Sequence, residues 1–406
     1  MSEVNKGTFW VVSEPYYPEM TSTGYYLTKI AEGLAGLEKV KVICGQPNYL
    51  AQGVTGPSYE IHNGVEIFRV WGSRLDRRIL LFRMVNMVSF GISALCSGLW
   101  RFRRGDRVLV VTTPPLTPFV VAAAALFKGS AFFLLIHDLY PDLAIASGKA
   151  KETSWLVRMS RIANRWLYKH ASKIVVVGRD MKDLLISRSE GLDTRIEMIP
   201  NWAELDIVEP QPKEANELIK RLRLDGKFIV LYAGNMGYPN DVESILDAAL
   251  KLKDLETLHF IFIGDGVKRR SIENRIAQSA LDNVTILPPA PRSDQIVFLN
   301  ACDIGIVTLV KGMRGVSMPS RTYNLLAAGK PILAICEPRS ELEALVTENK
   351  VGFVVPPGSS DALVAMIEAI LKSPEQLESM GTRARAVAID KYSMDEAIKK
   401  YRSALL

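Results

Sequence analysis

Along the chain, short runs rich in Val, Ile, Leu and Phe alternate with longer stretches whose apolar positions recur every three or four residues. The first pattern reads as strands and the second as amphipathic helices, and their strict alternation predicts parallel sheets joined by crossover helices. Strands are expected at Thr8–Ser13, Val40–Cys44, Glu66–Val70, Arg107–Val111, Ala131–Ile136, Lys173–Val177 and Arg195–Met198. Helices are expected over Thr21–Leu37, Arg77–Arg103, Leu116–Lys128, Glu152–His170 and Asp180–Ser189.

The rhythm breaks at Ile199-Pro200-Asn201-Trp202 and again at Val208-Glu209-Pro210-Gln211-Pro212. Closely spaced prolines stop helices and favour extended backbone, which marks a linker. The alternation restarts with strands at Phe228–Ala233, His259–Ile263, Val284–Leu287, Ile304–Thr308, Pro331–Ile335 and Gly352–Val355, and closes on helices near Ser359–Leu371, Pro374–Ile389 and Ser393–Ala404. The fold class expected is α/β: two doubly wound, Rossmann-like domains, residues 1–203 and 204–390, facing a central cleft. Open α/β sheets bind ligands at the carboxyl ends of their strands, so that cleft is the expected active site.

Composition narrows the class. A 48% hydrophobic, 23% charged chain of 406 residues is a folded protein of two or three domains, not a disordered one. Fifty Lys and Arg against 44 Asp and Glu give +6, too small and too dispersed an excess to argue for nucleic acid. Cys44, Cys96, Cys302 and Cys336 form no CxxC pair, which argues against a zinc site and suits a reducing compartment. The opening MSEVNKGTFWVV lacks the pattern of a cleaved signal peptide, so a cytoplasmic location is expected.

Three motifs sit where strands should end. Leu231-Tyr232-Ala233-Gly234-Asn235-Met236-Gly237 carries Gly234 and Gly237 in a strand-to-helix turn, where bare backbone can approach a phosphate at a helix N-terminus; a tight turn with no ligand gives the same pattern. Ile263-Gly264-Asp265-Gly266 can present backbone groups to a base or ribose, or be a plain glycine–aspartate turn. The third, Gly315-Val316-Ser317-Met318-Pro319-Ser320-Arg321-Thr322-Tyr323-Asn324 and on to Gly329-Lys330-Pro331, is the most informative. Pro319 and Ser320 open a helix, Ser320 as an expected cap, and Arg321 would set a guanidinium beside a diphosphate. The alternative is a well-capped packing helix, but the glycine-bearing approach Gly312–Ser317 shows no structural need in the sequence.

Two further segments belong to the first half. Glu14-Pro15-Tyr16-Tyr17-Pro18 precedes Thr21-Ser22-Thr23-Gly24-Tyr25-Tyr26, where Gly24 allows close approach of acceptor or phosphate, with Thr23 and Tyr25 beside it; an ordinary N-cap at Thr21 or Ser22 explains the same residues. His137-Asp138 follows a strand, where a polar group can hydrogen-bond a ligand or steady developing charge; a lone histidine is usually structural, but the strand-end position and the adjacent Asp138 favour the functional reading.

The alternating halves, the Ile-Pro-Asn linker, GNMG, GDG and SMPSRTYNLLAAGKP, taken in order, resemble a GT-B-fold glycosyltransferase of family 4, and in particular its bacterial O-antigen, capsule and colanic-acid branch. That resemblance covers essentially the whole chain. It implies transfer of a sugar, with retention at the anomeric carbon, from a nucleotide-sugar donor, UDP-linked by family bias, with the nucleotide on the second domain and the acceptor on the first. It implies no metal and no other cofactor, in keeping with the missing Asp-x-Asp pair. It implies that the last helix, within residues 391–406, returns to the first domain, and that Gly24 lies beside the reacting centre. The donor set it implies is Gly234, Asn235, Gly237, Gly264, Asp265, Gly266, Ser317, Met318, Pro319, Ser320, Arg321 and Asn324; Thr23, Tyr25 and Asp138 fall on the acceptor side. Two departures stand out. Family members often carry Glu-x7-Glu across the third motif, where this chain has Val316 and Asn324, and they carry Arg and Lys after the first glycine loop, where it has Asn235 and Tyr238-Pro239-Asn240-Asp241. A buried diphosphate needs a cation. Arg321 is the expected replacement, with Lys311, Arg314 and Lys330 in reserve, and Asn324 is left to hydrogen-bond a ribose hydroxyl.

Arg77-Arg78-Ile79-Leu80-Leu81-Phe82-Arg83-Met84, running on to Trp100-Arg101-Phe102-Arg103-Arg104, is nearly long enough to cross a bilayer but is broken by Asn86, Ser89, Ser93 and Ser97. A helix lying on the inner leaflet, its arginines on anionic lipid, is the expectation; a buried helix and a spanning one are the alternatives. The expected partners are therefore a nucleotide-sugar donor, a polyprenyl-diphosphate-linked glycan acceptor and the inner membrane surface. Other readings of the same fold are a nucleotide-sugar epimerase and a non-catalytic nucleotide-sugar-binding subunit.

Overall fold

A computed structural model describes residues 7–48, 54–76, 79–189 and 191–406. It resolves into two compact units: Met1–Pro141 with Glu152–Pro200 and Ile398–Leu406, and Asp142–Lys151 with Asn201–Ala397. The chain changes unit after Pro200, three residues before the boundary expected from sequence, and the short segment Asp142–Lys151 groups with the second unit, which nothing in its composition announces.

The elements up to Pro200 are β1 (Phe9–Ser13), α1 (Ser22–Ala35), β2 (Val40–Cys44), β3 (Tyr59–His62), β4 (Val65–Arg69), α2 (Leu80–Arg101) and β5 (Arg107–Val111). After them come α3 (Thr117–Lys128), β6 (Ala131–Ile136), α4 (Asp142–Ala146), α5 (Trp155–His170), β7 (Lys173–Val176), α6 (Arg179–Arg188) and β8 (Ile196–Met198). Among the described residues the sheet order is β3-β4-β2-β1-β5-β6-β7-β8. All pairings are parallel except β3 with β4. Strand β1, at the centre, is buried at every position, which is why it reads as an unbroken apolar run rather than an alternating one. Strand β3 was not expected. Its partner turn is Asn63-Gly64, both with positive φ (46° and 79°), the backbone a two-residue hairpin requires.

Helix α2 begins at Leu80, and Arg77 and Arg78 lie outside the described residues. Phe90 and Ala94 pack inward, and the buried Asn86 amide accepts from Leu75 N–H (3.0 Å) and donates to its carbonyl (2.9 Å), tying the preceding segment to the helix. The opposite face leaves Leu81, Met84, Val88, Ile92 and Trp100 exposed, so α2 is not a plain buried helix. It is the one helix among the described residues long and apolar enough to cross a membrane by length and composition.

The second unit holds α7 (Glu217–Leu222), β9 (Phe228–Ala233), α8 (Val242–Lys251), β10 (Leu258–Ile263), α9 (Arg269–Gln278), β11 (Val284–Leu287), α10 (Gln295–Asn300) and β12 (Ile304–Thr308). It continues with α11 (Arg321–Ala327), β13 (Ile332–Ile335), α12 (Glu341–Glu348), β14 (Gly352–Val355), α13 (Ser360–Lys372), α14 (Gln376–Lys391) and α15 (Met394–Leu405), whose last turns belong to the first unit. There Arg402 donates to the Gly33 carbonyl (2.7 Å) and Tyr401 is buried. The strand order β11-β10-β9-β12-β13-β14 is all parallel and reverses between β9 and β12. At such a reversal the crossovers leave in opposite directions and open a crevice beyond the carboxyl ends of the two strands.

Candidate functional site

The crevice of the second unit is built from the loops that leave β9, β10 and β12. The β9 and β10 loops pack backbone to backbone: Gly234 N–H donates to Ile263 O (2.8 Å) and Met236 N–H to Asp265 O (2.7 Å). Gly264, at φ +147°, must be glycine, because a Cβ there would stand 2.0 Å from the Gly234 carbonyl oxygen. The structure thus brings Gly234, Asn235, Gly237, Gly264, Asp265 and Gly266 together, and it gives Gly264 a packing reason for being glycine.

Arg321, the first residue of α11, enters this crevice from the β12 side. Its guanidinium lies directly over Gly234, where a Cβ would come within 2.7 Å of Cζ and 2.9 Å of both terminal nitrogens. It is held from two directions, by the Tyr232 ring 4.8 Å from Cζ and by Asn240, whose Oδ1 accepts from Nη2 at 3.2 Å. Asn240 and Tyr232 are themselves fixed, since Asn240 Nδ2 (2.9 Å) and the Tyr232 hydroxyl (2.7 Å) both donate to the Asn235 carbonyl. Burial raises the Tyr232 phenol above its ordinary value and the adjacent guanidinium partly offsets that, so the ring stays a neutral donor. The remaining terminal nitrogen, Nη1, is buried and has no hydrogen-bond partner. A buried unpaired donor costs about 1–3 kcal/mol, so a charged one fixed at a strand-reversal crevice calls for a missing acceptor. Tyr232 and Asn240 escaped sequence reading because nothing in their spacing shows a side chain reaching Arg321, more than 80 residues away in the chain.

The approach to α11 departs from expectation twice. Ser320 has helical φ and ψ and provides no side-chain cap. The Gly312–Ser317 segment does have a structural need: Gly312 and Gly315 adopt positive φ (90° and 71°), and the Glu337 carboxylate accepts from the N–H groups of Gly312 (2.8 Å) and Arg314 (3.2 Å). Ser317 is half-buried and Met318 buried on the way to Pro319.

Asn324 is a correction. Its amide is committed to a buried network: Nδ2 donates to Glu204 Oε1 (2.6 Å) and Gln295 Oε1 (2.5 Å), while Oδ1 accepts from Glu204 N–H (3.1 Å). Arg292 closes the network with two bonds of 2.6 Å to the fully buried Glu204 carboxylate. The residue fastens the Asn201–Val208 segment to α11 instead of reaching a ribose. Lys330, one of the reserve cations, stands at the opposite end of α11, its Nζ 3.4 Å from the Asn300 carbonyl.

In the first unit the strand order reverses between β1 and β5. Thr21 caps α1, its Oγ1 accepting from Gly24 N–H at 3.2 Å, and a Cβ on Gly24 would meet the Glu19 carbonyl at 2.5 Å. The capping reading therefore accounts for Gly24, with Thr23 half-buried and Tyr25 buried beside it. His137, at the carboxyl end of β6, meets the next aromatic of α1 edge to face, its ring 6.4 Å from that of Tyr26. Burial pushes its imidazole down to about 4, so the ring is neutral at physiological pH, and its Nε2 is buried without a partner. Asp138 follows, its carbonyl accepting from Thr112 Oγ1 at 3.1 Å. Among the described residues no group of three or more His, Cys, Asp or Glu is arranged to hold a metal.

Two doubly wound sheets, each reversing strand order, with a glycine-lined crevice in the second, match the GT-B fold. Residues 214–387 match the family "Glycosyl transferases group 1" and residues 22–202 the "Glycosyl transferase 4-like domain". WbjE of Pseudomonas aeruginosa, named as a probable glycosyltransferase, is 31% identical over 398 residues, covering 98% of this chain and 97% of its own. WcaI of Escherichia coli K12, whose name assigns it to colanic acid biosynthesis, is 27% identical over 375 residues, 89% of this chain and 91% of its own. Among solved structures, HepE of Anabaena in complex with UDP-glucose superposes with a TM-score of 0.73 at 15% identity, over 98% of this chain and 99% of that one. The chain belongs to the family 4, group 1 glycosyltransferases of GT-B fold, and is a transferase of that family.

Proposed function

We propose that the protein transfers a sugar, with retention and without a metal, from a UDP-sugar to a polyprenyl-diphosphate-linked oligosaccharide during synthesis of a bacterial surface polysaccharide. One observation carries the donor half of this reading: the Arg321 guanidinium pinned over Gly234 with a buried, unpaired Nη1. A diphosphate is the planar-fork acceptor such a group suits, and it supplies the two negative charges that make burying a cation favourable. UDP-glucose in HepE and colanic acid in the name of WcaI support the donor class and the pathway class.

The chemistry assigned to the site is as follows. The bond between the anomeric carbon and the diphosphate oxygen breaks as Arg321 takes up the charge growing on that oxygen. The acceptor hydroxyl bonds to the same face of the anomeric carbon and passes its proton to the departing phosphate. No protein base is needed. His137, neutral and with a free Nε2, acts as a hydrogen-bond partner for a hydroxyl, not as a proton acceptor. The exposed apolar face of α2, flanked by Arg83 and Arg101, suits an anionic inner leaflet, where a lipid-linked acceptor resides.

The test is a panel of UDP- and GDP-sugars offered with bacterial membranes, the lipid fraction read by mass spectrometry, with and without EDTA. The expected result is one donor that releases UDP and adds one sugar to a lipid-linked glycan, at a rate unchanged by EDTA. Sugar transferred only to water-soluble acceptors, or a rate abolished by EDTA and restored by a divalent metal, refutes it.

A further inference from the structure

Helix α5 has two apolar faces. Val157, Leu167 and Tyr168 are buried, yet Trp155 (71% exposed), Leu156, Met159 (55% exposed), Ile162 and Trp166 form a second stripe that faces outward. The helix contains no acidic residue, and Arg158, Arg165 and Lys169 are exposed along it. A soluble helix spends its outward face on mixed charge, so an outward stripe of Trp, Leu, Met and Ile edged only by cations points to a ligand both apolar and anionic.

Beside this stripe a groove of about 310 Å³ runs between α3 and α5. Met159 and Ala163 of α5, Pro118 and Phe119 of α3, and Leu139 and Tyr140 line it. Its floor is stiff, because Asn164 Nδ2 donates to the Tyr140 carbonyl at 2.6 Å. Thr112, whose hydroxyl holds the Asp138 carbonyl, also lines it, so the lining reaches Leu139, two residues from His137 in the chain. It therefore joins an outward apolar, cationic helix face to the strand-end loop that carries the acceptor-side histidine.

We propose that this groove holds the first isoprene units of the acceptor's polyprenyl chain, while Arg158, Arg165 and Lys169, on the opposite edge of the outward stripe, meet the anionic headgroups around it. The proposal deepens the lipid-linked reading above and rests on it for the identity of the acceptor. The size is that of a pocket for a small ligand, which fits a few isoprene units and not a whole phospholipid.

The probe is a diazirine-bearing polyprenyl diphosphate in phosphatidylglycerol nanodiscs, cross-linked to the full-length protein and mapped by peptide mass spectrometry. Labels are expected on 118–119, 139–140 and 159–163, competed at least tenfold better by farnesyl diphosphate than by added phosphatidylglycerol. Ala163→Trp, which fills the groove, and Met159→Trp, which narrows its mouth, should each cut labelling at least tenfold while nanodisc binding stays within twofold. Labels elsewhere, equal competition by phosphatidylglycerol, or undiminished labelling of a folded variant overturns the proposal. The outcomes separate from those of the transfer assay: sugar appearing on lipid with no label in the groove refutes the groove alone, and labelling in the groove with no lipid product refutes the acceptor reading alone.

Discussion

Replacing Arg321 by Ala isolates what its guanidinium does. In the free protein the substitution removes one hydrogen bond to Asn240, a loss of about 0.5–1.5 kcal/mol, and also removes a buried donor whose unpaired state costs about 1–3 kcal/mol. These nearly cancel, so the melting temperature should move by only a few degrees. With UDP bound the balance differs, because the lost contact is then a charge-assisted bond to a diphosphate, a net contribution of roughly 1.5–3 kcal/mol. At about 1.4 kcal/mol per decade, UDP affinity by titration calorimetry should fall roughly 10- to 150-fold. Uridine, which has no phosphate, should bind Arg321→Ala and the parent chain alike. Arg321→Lys keeps the charge but loses the fork that spans Asn240 and a ligand, and should fall between the two. Gly234→Ala should mimic Arg321→Ala, since its methyl group would occupy the guanidinium's place, and the double variant should be no worse for UDP than either single one. A folded Arg321→Ala protein that binds UDP within twofold of the parent would show that the phosphates are held by other groups.

The other predictions concern residues that the structure moves into new roles. Asn324→Ala should cost about 1–3 kcal/mol in urea unfolding of the second unit and leave UDP affinity within twofold; a large affinity loss at unchanged stability would restore the ribose role. Glu204→Ala strands the Arg292 guanidinium without its buried carboxylate and should be worse, about 3–5 kcal/mol. For His137 the imidazole titrates near 4 folded and near 6.5 unfolded, so the unfolded chain binds the extra proton. Its contribution is complete above pH 6.5 and is lost as pH falls toward 4, up to about 3 kcal/mol. His137→Gln should flatten the stability profile between pH 6.5 and 4 and lower kcat at pH 7 without changing the shape of the rate profile from pH 6 to 8. A rate that rises with a pKa near 7 in the parent would instead assign His137 to proton transfer.

The strands that carry both sheets are legible because a strand covered on both faces is an unbroken apolar run, and β1 and β10 are buried at every position. Strand β3 was hidden by the opposite circumstance: Tyr59-Glu-Ile-His62 lies at a sheet edge, exposed or half-buried throughout, although the Asn63-Gly64 turn beside it was signal enough. In the site, glycines and an arginine at strand ends stand out locally, whereas their supports do not. Asn324 looked free because Glu204, the group it binds, is 120 residues upstream and no local pattern reports it. The Gly312–Ser317 turns looked idle for the same reason, since Glu337 anchors them from beyond the next strand. Burial, not sequence, decides that His137 is neutral.

The polypeptide passes from one unit to the other four times, after Pro141, Lys151, Pro200 and Ala397. A single proteolytic nick at the proline-bearing linker therefore releases no intact half. The amino-terminal fragment would leave behind Tyr401 and the Arg402 contact with Gly33, and the carboxyl-terminal one would lose Asp142–Lys151. Anyone seeking the second unit alone must splice, not truncate.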